Sequence, residues 1–268
     1  ENGNCTGDNY GLYKIGPLKL MADGSLGAHT AWMRKPYLNE PETCGTGNMT
    51  DEKAYSLMKK AHDAGMQIAV HCIGDAALEQ TLNMYRRIQQ ENPRPDCRHG
   101  IVHCQIMDEE LQNRFKEDNI LAYVQPIFLK SDMNIVDDCV GTKIAKQSYN
   151  WRRFCDMGIH QSGGSDCPVE PFDILPNLQY AVTRKNPDTG KEWYAENSVT
   201  LQEAIKMFTY EGAYASFSEN LKGTLSVGKY ADLVVLDNNL FEIDPDVIRD
   251  TAVLMTMVNG RIVYSAEK

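Results

Sequence analysis

The sequence predicts an α/β protein with a parallel sheet, followed by a small antiparallel β module. Short, nearly all-apolar segments alternate with segments whose apolar residues recur at helical spacing. This alternation is typical of strands joined by helical crossovers. After about residue 222 the apolar residues follow the period of strands instead. We therefore expect two domains, residues 1–221 and residues 222–268.

Five strand segments precede Asp166 in this prediction, at residues 17–21, 67–71, 99–103 and 120–124 and near Ile159. Helices separate these strands: two begin after the N-caps Thr50 and Asp108, and the others cover residues 75–91 and about 149–157. Five strands fit an open doubly wound sheet. A complete eight-stranded barrel would require three further strand–helix units before Glu1.

The last third of the chain carries two strong local signals. Thr200 and Glu203 have the spacing of a capping box, which predicts a helix that begins at residue 201. Asn259-Gly260 lies between two apolar segments and predicts a hairpin turn. Together with a strand predicted at residues 233–236, this hairpin defines the antiparallel module.

Composition limits the partners and the compartment. The net charge of −10 argues against nucleic acid and against anionic membrane surfaces as partners. No apolar run approaches the roughly 20 residues that span a bilayer. None of the eight cysteines forms a C-x-x-C pair, which favours free thiols in a reducing cytoplasm over a disulfide framework.

Ionisable side chains stand at the ends of several predicted strands. His71 and His103 end the second and third strands, and Asp166 directly follows the fifth. Because the carboxyl ends of parallel strands share one face, we expect these side chains to converge. Two imidazoles and a carboxylate suit zinc, iron or manganese, and such a cation lowers the pKa of water to about 7. Each residue alone is more often structural, but their joint placement favours a metal site.

Other residues near this face receive weaker assignments. His29, in the loop after the first strand, and Gln125, which ends the fourth, are predicted to bind substrate. A solvated loop position fits His29 equally well. The cysteines that follow the predicted ligands are expected to be buried and apolar in character. His62 lies beside two lysines and is predicted to be on the surface, whereas His99 starts a strand and is predicted to be structural.

Four segments and the tail resemble a known family. They are residues 19–27 (KLMADGSLG), 71–77 (HCIGDAA), 103–105 (HCQ), 164–168 (GSDCP) and 223–237 (GTLSVGKYADLVVLD). In this order they resemble the amidohydrolase superfamily, in a branch similar to N-substituted formamide deformylase. The resemblance covers residues 17–264.

The resemblance implies a TIM-type (β/α)₈ barrel with metal at the carboxyl face, of which this chain holds strands four to eight, and part of a β-sandwich. It implies that His71, His103 and Asp166 bind one or two divalent ions, most often zinc, and that Asp166 also carries protons. Lys19 matches a lysine that is carboxylated and bridges two metals in many members. The family's His-x-His pair is absent from this sequence. We therefore expect a C-terminal fragment whose open strand edges favour self-association.

Three functions are compatible with these observations. The first is a metal-dependent hydrolase that cleaves non-peptide carbon–nitrogen bonds in small amides or cyclic amides; the fragment alone is expected to lack part of the metal site. The second is a binding or regulatory protein that uses the same scaffold without catalysis, which fits the missing His-x-His pair. The third is an open α/β protein unrelated to hydrolases, in which His71 and His103 are core residues.

Overall fold

A five-stranded sheet organises the first part of the chain in the computed structural model, which describes residues 3–11 and 13–266. The strands lie side by side in chain order: β1 (Leu18–Met21), β2 (Ile68–Cys72), β3 (Gly100–His103), β4 (Leu121–Val124) and β5 (Gln161–Gly163). The pairs β1–β2, β2–β3 and β3–β4 are parallel. The prediction of an α/β protein with a parallel sheet is confirmed.

Helices connect these strands, as the alternating pattern predicts. They are α1 (Asp51–Asp63), α2 (Asp75–Glu91), α3 (Glu109–Glu117), α4 (Leu129–Asp132), α5 (Val136–Val140), α6 (Thr142–Ala145) and α7 (Trp151–Asp156). Both predicted N-caps are confirmed. The Lys53 N–H donates to Thr50 Oγ1 at 3.4 Å, and the Leu111 N–H donates to Asp108 Oδ1 at 3.0 Å. Among the described residues, no helix combines the length and the apolar character needed to cross a membrane.

The chain divides into two compact units. The first contains residues 1–124 and 131–161, and the second contains residues 125–130 and 162–268. This division follows the packing, whereas the sequence-based boundary at residue 222 follows a change in periodicity. The domains 1–221 and 222–268 therefore stay a prediction, and their outer ends, Glu1 and Lys268, lie outside the described residues.

The core of the first unit is built around β2. All five of its residues are buried, as expected for a parallel strand covered on both faces. Helix α2 buries the apolar stripe that its sequence predicts, which includes Leu78, Leu82 and Ile88. Tyr85 on the same helix donates its hydroxyl to two strand carbonyls, and this bond joins the helix to β2 and β3. Helix α2 thereby holds β2 and β3 in place, and with them the residues at the carboxyl ends of these strands.

The second unit contains α8 (Leu175–Thr183), α9 (Leu201–Met207), α10 (Tyr210–Ala215) and a three-stranded antiparallel sheet. The capping box at Thr200 and Glu203 is confirmed, because each side chain accepts a hydrogen bond from the backbone of the other. The sheet has the order β6 (Leu233–Leu236), β7 (Val253–Val258), β8 (Arg261–Ser265). Asn259 and Gly260, both with positive φ, form the predicted hairpin turn.

Both faces of this antiparallel sheet are apolar and exposed. Val234 and Tyr264, on one face, are 57% and 50% exposed, and Ile262, on the other face, is 55% exposed. Antiparallel sheets with one solvated face normally alternate apolar and polar residues. A sheet with two apolar faces is instead typical of a surface that another polypeptide covers.

Candidate metal centre

His71 and His103 lie together at the carboxyl ends of neighbouring strands. Their ring centroids are 4.4 Å apart and the rings meet edge to face. Both residues are buried, at 7% and 5% exposure. The structure therefore brings together the two histidines that the sequence places at successive strand ends.

The backbone of His103 makes this meeting possible. In the β2–β3 register, His71 pairs with Val102, and His103 pairs with Cys72. Side chains alternate between the two faces of a sheet, so an extended His103 would point away from His71. His103 instead has a φ of +79°, in the left-handed region, and Cys104 follows with +52°. This turn ends the strand and directs the imidazole of His103 towards that of His71.

Asp23 is a site residue that the sequence prediction missed. Its side chain is fully buried, and its carboxylate lies 3.3 Å from Nε2 of His71. The carboxylate accepts three backbone hydrogen bonds, from the N–H groups of Trp32 (2.9 Å), Ile73 (3.1 Å) and Gly74 (2.7 Å). A buried charge requires this degree of hydrogen bonding. The sequence signal is the Asp-Gly pair that follows β1 after one residue, a pattern that by itself indicates only a turn at the end of a strand.

Gly74 is required by the same arrangement. A Cβ atom at this position would lie 2.0 Å from the carbonyl oxygen of Trp32, which no side chain could tolerate. The absence of a side chain lets the loop after β1 approach the start of α2 closely enough for Asp23 to accept both N–H groups. Only glycine therefore fits at position 74 of the His-Cys-Ile-Gly-Asp segment, because a side chain there would collide with the Trp32 backbone.

The hydrogen bonds of His71 determine its tautomer. Nε2 lies 2.8 Å from the carbonyl oxygen of Gly24, which can only accept, so Nε2 carries the proton. Nδ1 then holds a lone pair, and it makes no hydrogen bond to any described residue. A neutral imidazole whose protonated nitrogen binds a carbonyl is the usual form of a metal-ligating histidine.

The other predicted site residues are less closely defined. Lys19 lies in β1 with an exposed side chain, opposite Ala69 of β2. Asp166 and Gln125 belong to the second unit. Asp166 is exposed, follows β5 and has a φ of +57°, and Gln125 is buried directly after β4. Metal binding by Lys19 and Asp166 and substrate binding by Gln125 stay predictions.

His29 is held between an acid and a thiol. Its Nδ1 lies 2.5 Å from Oε2 of Glu40, and its Nε2 lies 3.7 Å from Sγ of Cys139. The Tyr37 ring packs against the imidazole, with centroids 4.8 Å apart. Since both ring nitrogens have partners within the protein, substrate contact through them would require one partner to move. Substrate binding by His29 stays a prediction.

The cysteines beside the histidines are buried, as expected. Cys72 lies 3.2 Å from the Thr81 hydroxyl, and the Cys104 thiol donates to the Ile101 carbonyl at 3.1 Å. Burial raises the pKa of both thiols well above the ordinary value, so neither supplies a thiolate at neutral pH. Cys167 differs because it is exposed. All eight cysteines are unpaired, in agreement with the prediction of free thiols.

A second cluster lies around the start of β3, at the opposite strand end. Ligand atoms of His62, Cys97 and His99 all lie within 4.8 Å of one another. The prediction that His62 is on the surface is wrong, because its side chain is fully buried. Its neighbours Lys59 and Lys60 suggested a solvated helix face, but His62 is adjacent to the buried Ala61 and turns inward to His99.

Hydrogen bonds occupy every ring nitrogen of this cluster. The Ile68 N–H donates to Nδ1 of His99, so Nε2 of His99 carries the proton and donates to Nδ1 of His62 at 2.9 Å. Nε2 of His62 then donates to the Asn92 carbonyl at 2.7 Å. A metal could bind Nε2 of His99 only by displacing the proton that this nitrogen carries. Nδ1 of His99 could not take up that proton, because it accepts the hydrogen bond from the Ile68 N–H. The chain of bonds therefore describes a structural pair of neutral histidines, as predicted for His99.

The chain belongs to the amidohydrolase family, whose model matches residues 2–264. YtcJ of Bacillus subtilis, which is described as an amidohydrolase, is 36% identical over 253 residues, covering 94% of this chain and 47% of that protein. Protein LONG AFTER FAR-RED 3 of Arabidopsis thaliana is 33% identical over 252 residues, covering 93% and 43% respectively. N-substituted formamide deformylase of Arthrobacter pascens is 24% identical over 221 residues, covering 82% and 40%.

Solved structures support the same fold. An uncharacterised metal-dependent hydrolase from Pyrococcus horikoshii OT3 superimposes with a TM-score of 0.81 at 26% sequence identity. The match covers 91% of this chain and 48% of that one. This chain thus spans less than half the length of the relatives it matches. The resemblance recognised in the sequence is confirmed at the level of the superfamily.

We expect the buried pair of histidines to make stability depend on pH. Burial, followed by the electrostatic effect of His62 on a protonated His99, lowers the pKa of His99 from 6.5 to about 3. Between these values the unfolded chain binds a proton that the native state does not, so stability falls as the pH falls. From pH 7 to pH 5 this group alone should remove about 2 kcal/mol of unfolding free energy.

Urea denaturation at pH 7 and pH 5 measures this effect. In His99→Gln the amide can still accept from Ile68 and donate to His62, but it does not titrate, so the loss between the two pH values should shrink by about 2 kcal/mol. Gln90→Asn, at an exposed position of α2, is the control, because it changes no ionisable group, and it should keep the wild-type pH dependence. An unchanged dependence in His99→Gln would show that other groups control acid stability.

Proposed function

We propose that this chain is part of a metal-dependent hydrolase of non-peptide carbon–nitrogen bonds in small amides or cyclic amides. The observation that carries the proposal is the buried pair His71 and His103, with Nδ1 of His71 left for a ligand. Family membership and a metal-dependent hydrolase of similar fold support the same conclusion. The relative that hydrolyses N-substituted formamides, as its name states, supports the substrate class.

The residues present fit a divalent cation. Two imidazoles can supply neutral nitrogen ligands, and the hydrogen bonds of His71 fix the tautomer that metal binding needs. The Asp23 carboxylate lies 3.3 Å from Nε2 of His71, on the side of the ring away from Nδ1, and helps to orient the imidazole. Imidazole and carboxylate ligands suit zinc, with iron and manganese as alternatives. We propose that Asp166 and a carboxylated Lys19 would be further metal ligands, as the resemblance to the family implies.

When bound, a divalent cation supplies Lewis acidity that polarises a carbonyl and makes water a nucleophile near neutral pH. His71 and His103 would hold the ion, and Asp23, fixed by its bonds to the surrounding backbone, keeps His71 in one orientation. We assign proton transfer to Asp166, which takes a proton from the attacking water and passes it to the leaving nitrogen. Its exposed position after β5 leaves the carboxylate accessible for this role.

The finer parts of the architecture are also proposals. We propose that β1 to β5 correspond to strands four to eight of a (β/α)₈ barrel and that the antiparallel sheet is part of a β-sandwich. We propose a cytoplasmic location, because eight unpaired cysteines fit a reducing compartment. The alternative function, a binding or regulatory protein without catalysis, is favoured only by the missing His-x-His pair in this sequence.

The metal proposal predicts that the chain binds zinc and that His71→Gln weakens binding by at least about tenfold. The reason is that Gln removes the nitrogen lone pair while keeping a similar volume. Zinc affinity is measured by competition with a chromophoric chelator on the metal-free protein. His160, a half-buried residue directly before β5, belongs to neither histidine cluster, so His160→Gln serves as control and should bind zinc like the wild type. Equal zinc affinity in His71→Gln and the wild type would refute the assignment of His71.

The hydrolase proposal predicts that the whole enzyme of which this chain is part, loaded with zinc, cleaves N-benzylformamide and that Asp166→Asn in that enzyme lowers the rate by about 100-fold or more. Asn keeps the shape of Asp but cannot carry the proton. Liquid chromatography of released benzylamine measures the rate, with Asp156→Asn, at an exposed position of α7, as a control. Cleavage at the wild-type rate by Asp166→Asn would remove its catalytic role. Zinc binding without cleavage of any amide would favour the alternative function.

We also propose that the protein self-associates through its antiparallel sheet. The outer edges of β6 and β8 pair with no other strand among the described residues, and both faces are apolar and exposed. Such surfaces drive association because burial removes apolar area from water. The net charge of −10 opposes this association, so it should strengthen as salt increases.

Sedimentation velocity tests this proposal over a range of protein concentrations. The wild type should form dimers or larger species, and the double variant Val234→Lys/Ile262→Lys should shift towards monomer, because it adds charge to both faces. Val227→Lys is the matched control, since Val227 is fully exposed outside the sheet. A wild type that stays monomeric at about 100 μM would contradict the proposal.

A further inference from the structure

A small cavity in the second unit has the features of a ligand pocket. Its volume is about 160 Å³, and Ile127, Pro171, Pro176, Pro187 and Tyr180 form its apolar walls. Ile127 follows β4 by three residues, and Pro171 follows β5 by eight. Segments that directly follow strands are those that bind ligands in parallel α/β proteins. The size is that of a single ring, because an apolar cavity of about 150 Å³ binds benzene.

The hydroxyl of Tyr180 points to a ligand with a hydrogen-bonding group. Tyr180 is 2% exposed and lines the cavity, yet its hydroxyl makes no hydrogen bond to any described residue. The hydroxyl is not among the described polar atoms that are sealed from solvent without a partner, so it opens into the cavity. Buried tyrosines usually bond their hydroxyl. The Tyr180 hydroxyl is therefore available to bond a ligand that enters the cavity.

The charge of the lining selects a neutral ligand. The ionisable lining residues are two cations, Lys130 and Arg249, and three carboxylates, Glu170, Asp173 and Asp188. Arg249 is paired with Asp188 at 2.9 Å, and Asp173 accepts from the Leu175 N–H at 3.1 Å. The lining thus has no excess positive charge that would attract an anion. Burial, followed by the charge of Asp188, raises the pKa of Tyr180 to about 12, so its hydroxyl stays a donor.

We infer that this cavity binds a compact, uncharged, ring-sized group that carries an oxygen acceptor, with the Tyr180 hydroxyl donating to that oxygen. An aromatic amide has this chemistry. The inference that the ring bound in this cavity is part of the substrate rests on the proposed hydrolase function. Binding of such a ring to the cavity requires neither catalysis nor a bound metal.

The experiment measures binding of benzamide to the metal-free chain by NMR shift titration, with benzoate as an isosteric anion. We expect a dissociation constant of about 0.1–1 mM for benzamide, weaker binding of benzoate, and shifts of Tyr180 and Ile127. Tyr180→Phe should weaken benzamide binding about fivefold to tenfold. Because the hydroxyl bonds none of the described residues, this variant should fold as well as the wild type. Tyr230→Phe, which removes an exposed hydroxyl of the same unit, should bind like the wild type.

Two results would overturn the inference. One is equal benzamide affinity in Tyr180→Phe and the wild type, and the other is benzoate binding at least as tightly as benzamide. Failure of the hydrolase proposal has a different signature: benzamide binds as expected, but the protein takes up no zinc and cleaves no amide.

Discussion

The candidate site depends on one buried carboxylate. Asp23 accepts backbone hydrogen bonds from Trp32, Ile73 and Gly74, and so joins the loop after β1 to the connection between β2 and α2. The charge that makes these bonds strong is also held 3.3 Å from His71. Removal of the carboxylate would leave these three N–H groups unpaired, and the imidazole would be held by the Gly24 carbonyl alone. Local folding and metal-ligand geometry therefore have the same origin.

The two ends of the sheet use histidine in opposite ways. At the start of β3, His62 and His99 form a closed chain of hydrogen bonds in which every ring nitrogen is occupied. At the carboxyl ends, His71 bonds through Nε2 alone, and its Nδ1 makes no bond to the described residues. The first arrangement stabilises the sheet, and the second leaves a lone pair for a ligand. Two neighbouring histidines therefore do not by themselves make a metal site. A metal site also requires a ring nitrogen whose lone pair is not already used in a hydrogen bond.

Much of the site could be predicted because its residues follow strands directly. A strand that ends in histidine, repeated on the neighbouring strand, gives a local pattern, and His71 and His103 were found this way. Asp23 could not be found in this way, since its partners lie 9, 50 and 51 residues away in sequence. His62 was misplaced for a related reason. Its lysine neighbours indicate a solvated helix, but the inward direction of its side chain depends on His99, 37 residues away.

The sequence by itself determined the strand–helix alternation, the helix caps, the hairpin at Asn259-Gly260 and the family, because each depends on residues close together in the chain or on motifs in a fixed order. The tertiary structure alone decided which nitrogen of each histidine holds a proton, how His103 turns towards His71 and why Gly74 has no side chain. Those features depend on atoms that come within about 3 Å only after the strands pair. Hydrogen bonds and steric contacts form at that distance, and the number of residues between two positions does not indicate whether their atoms come that close.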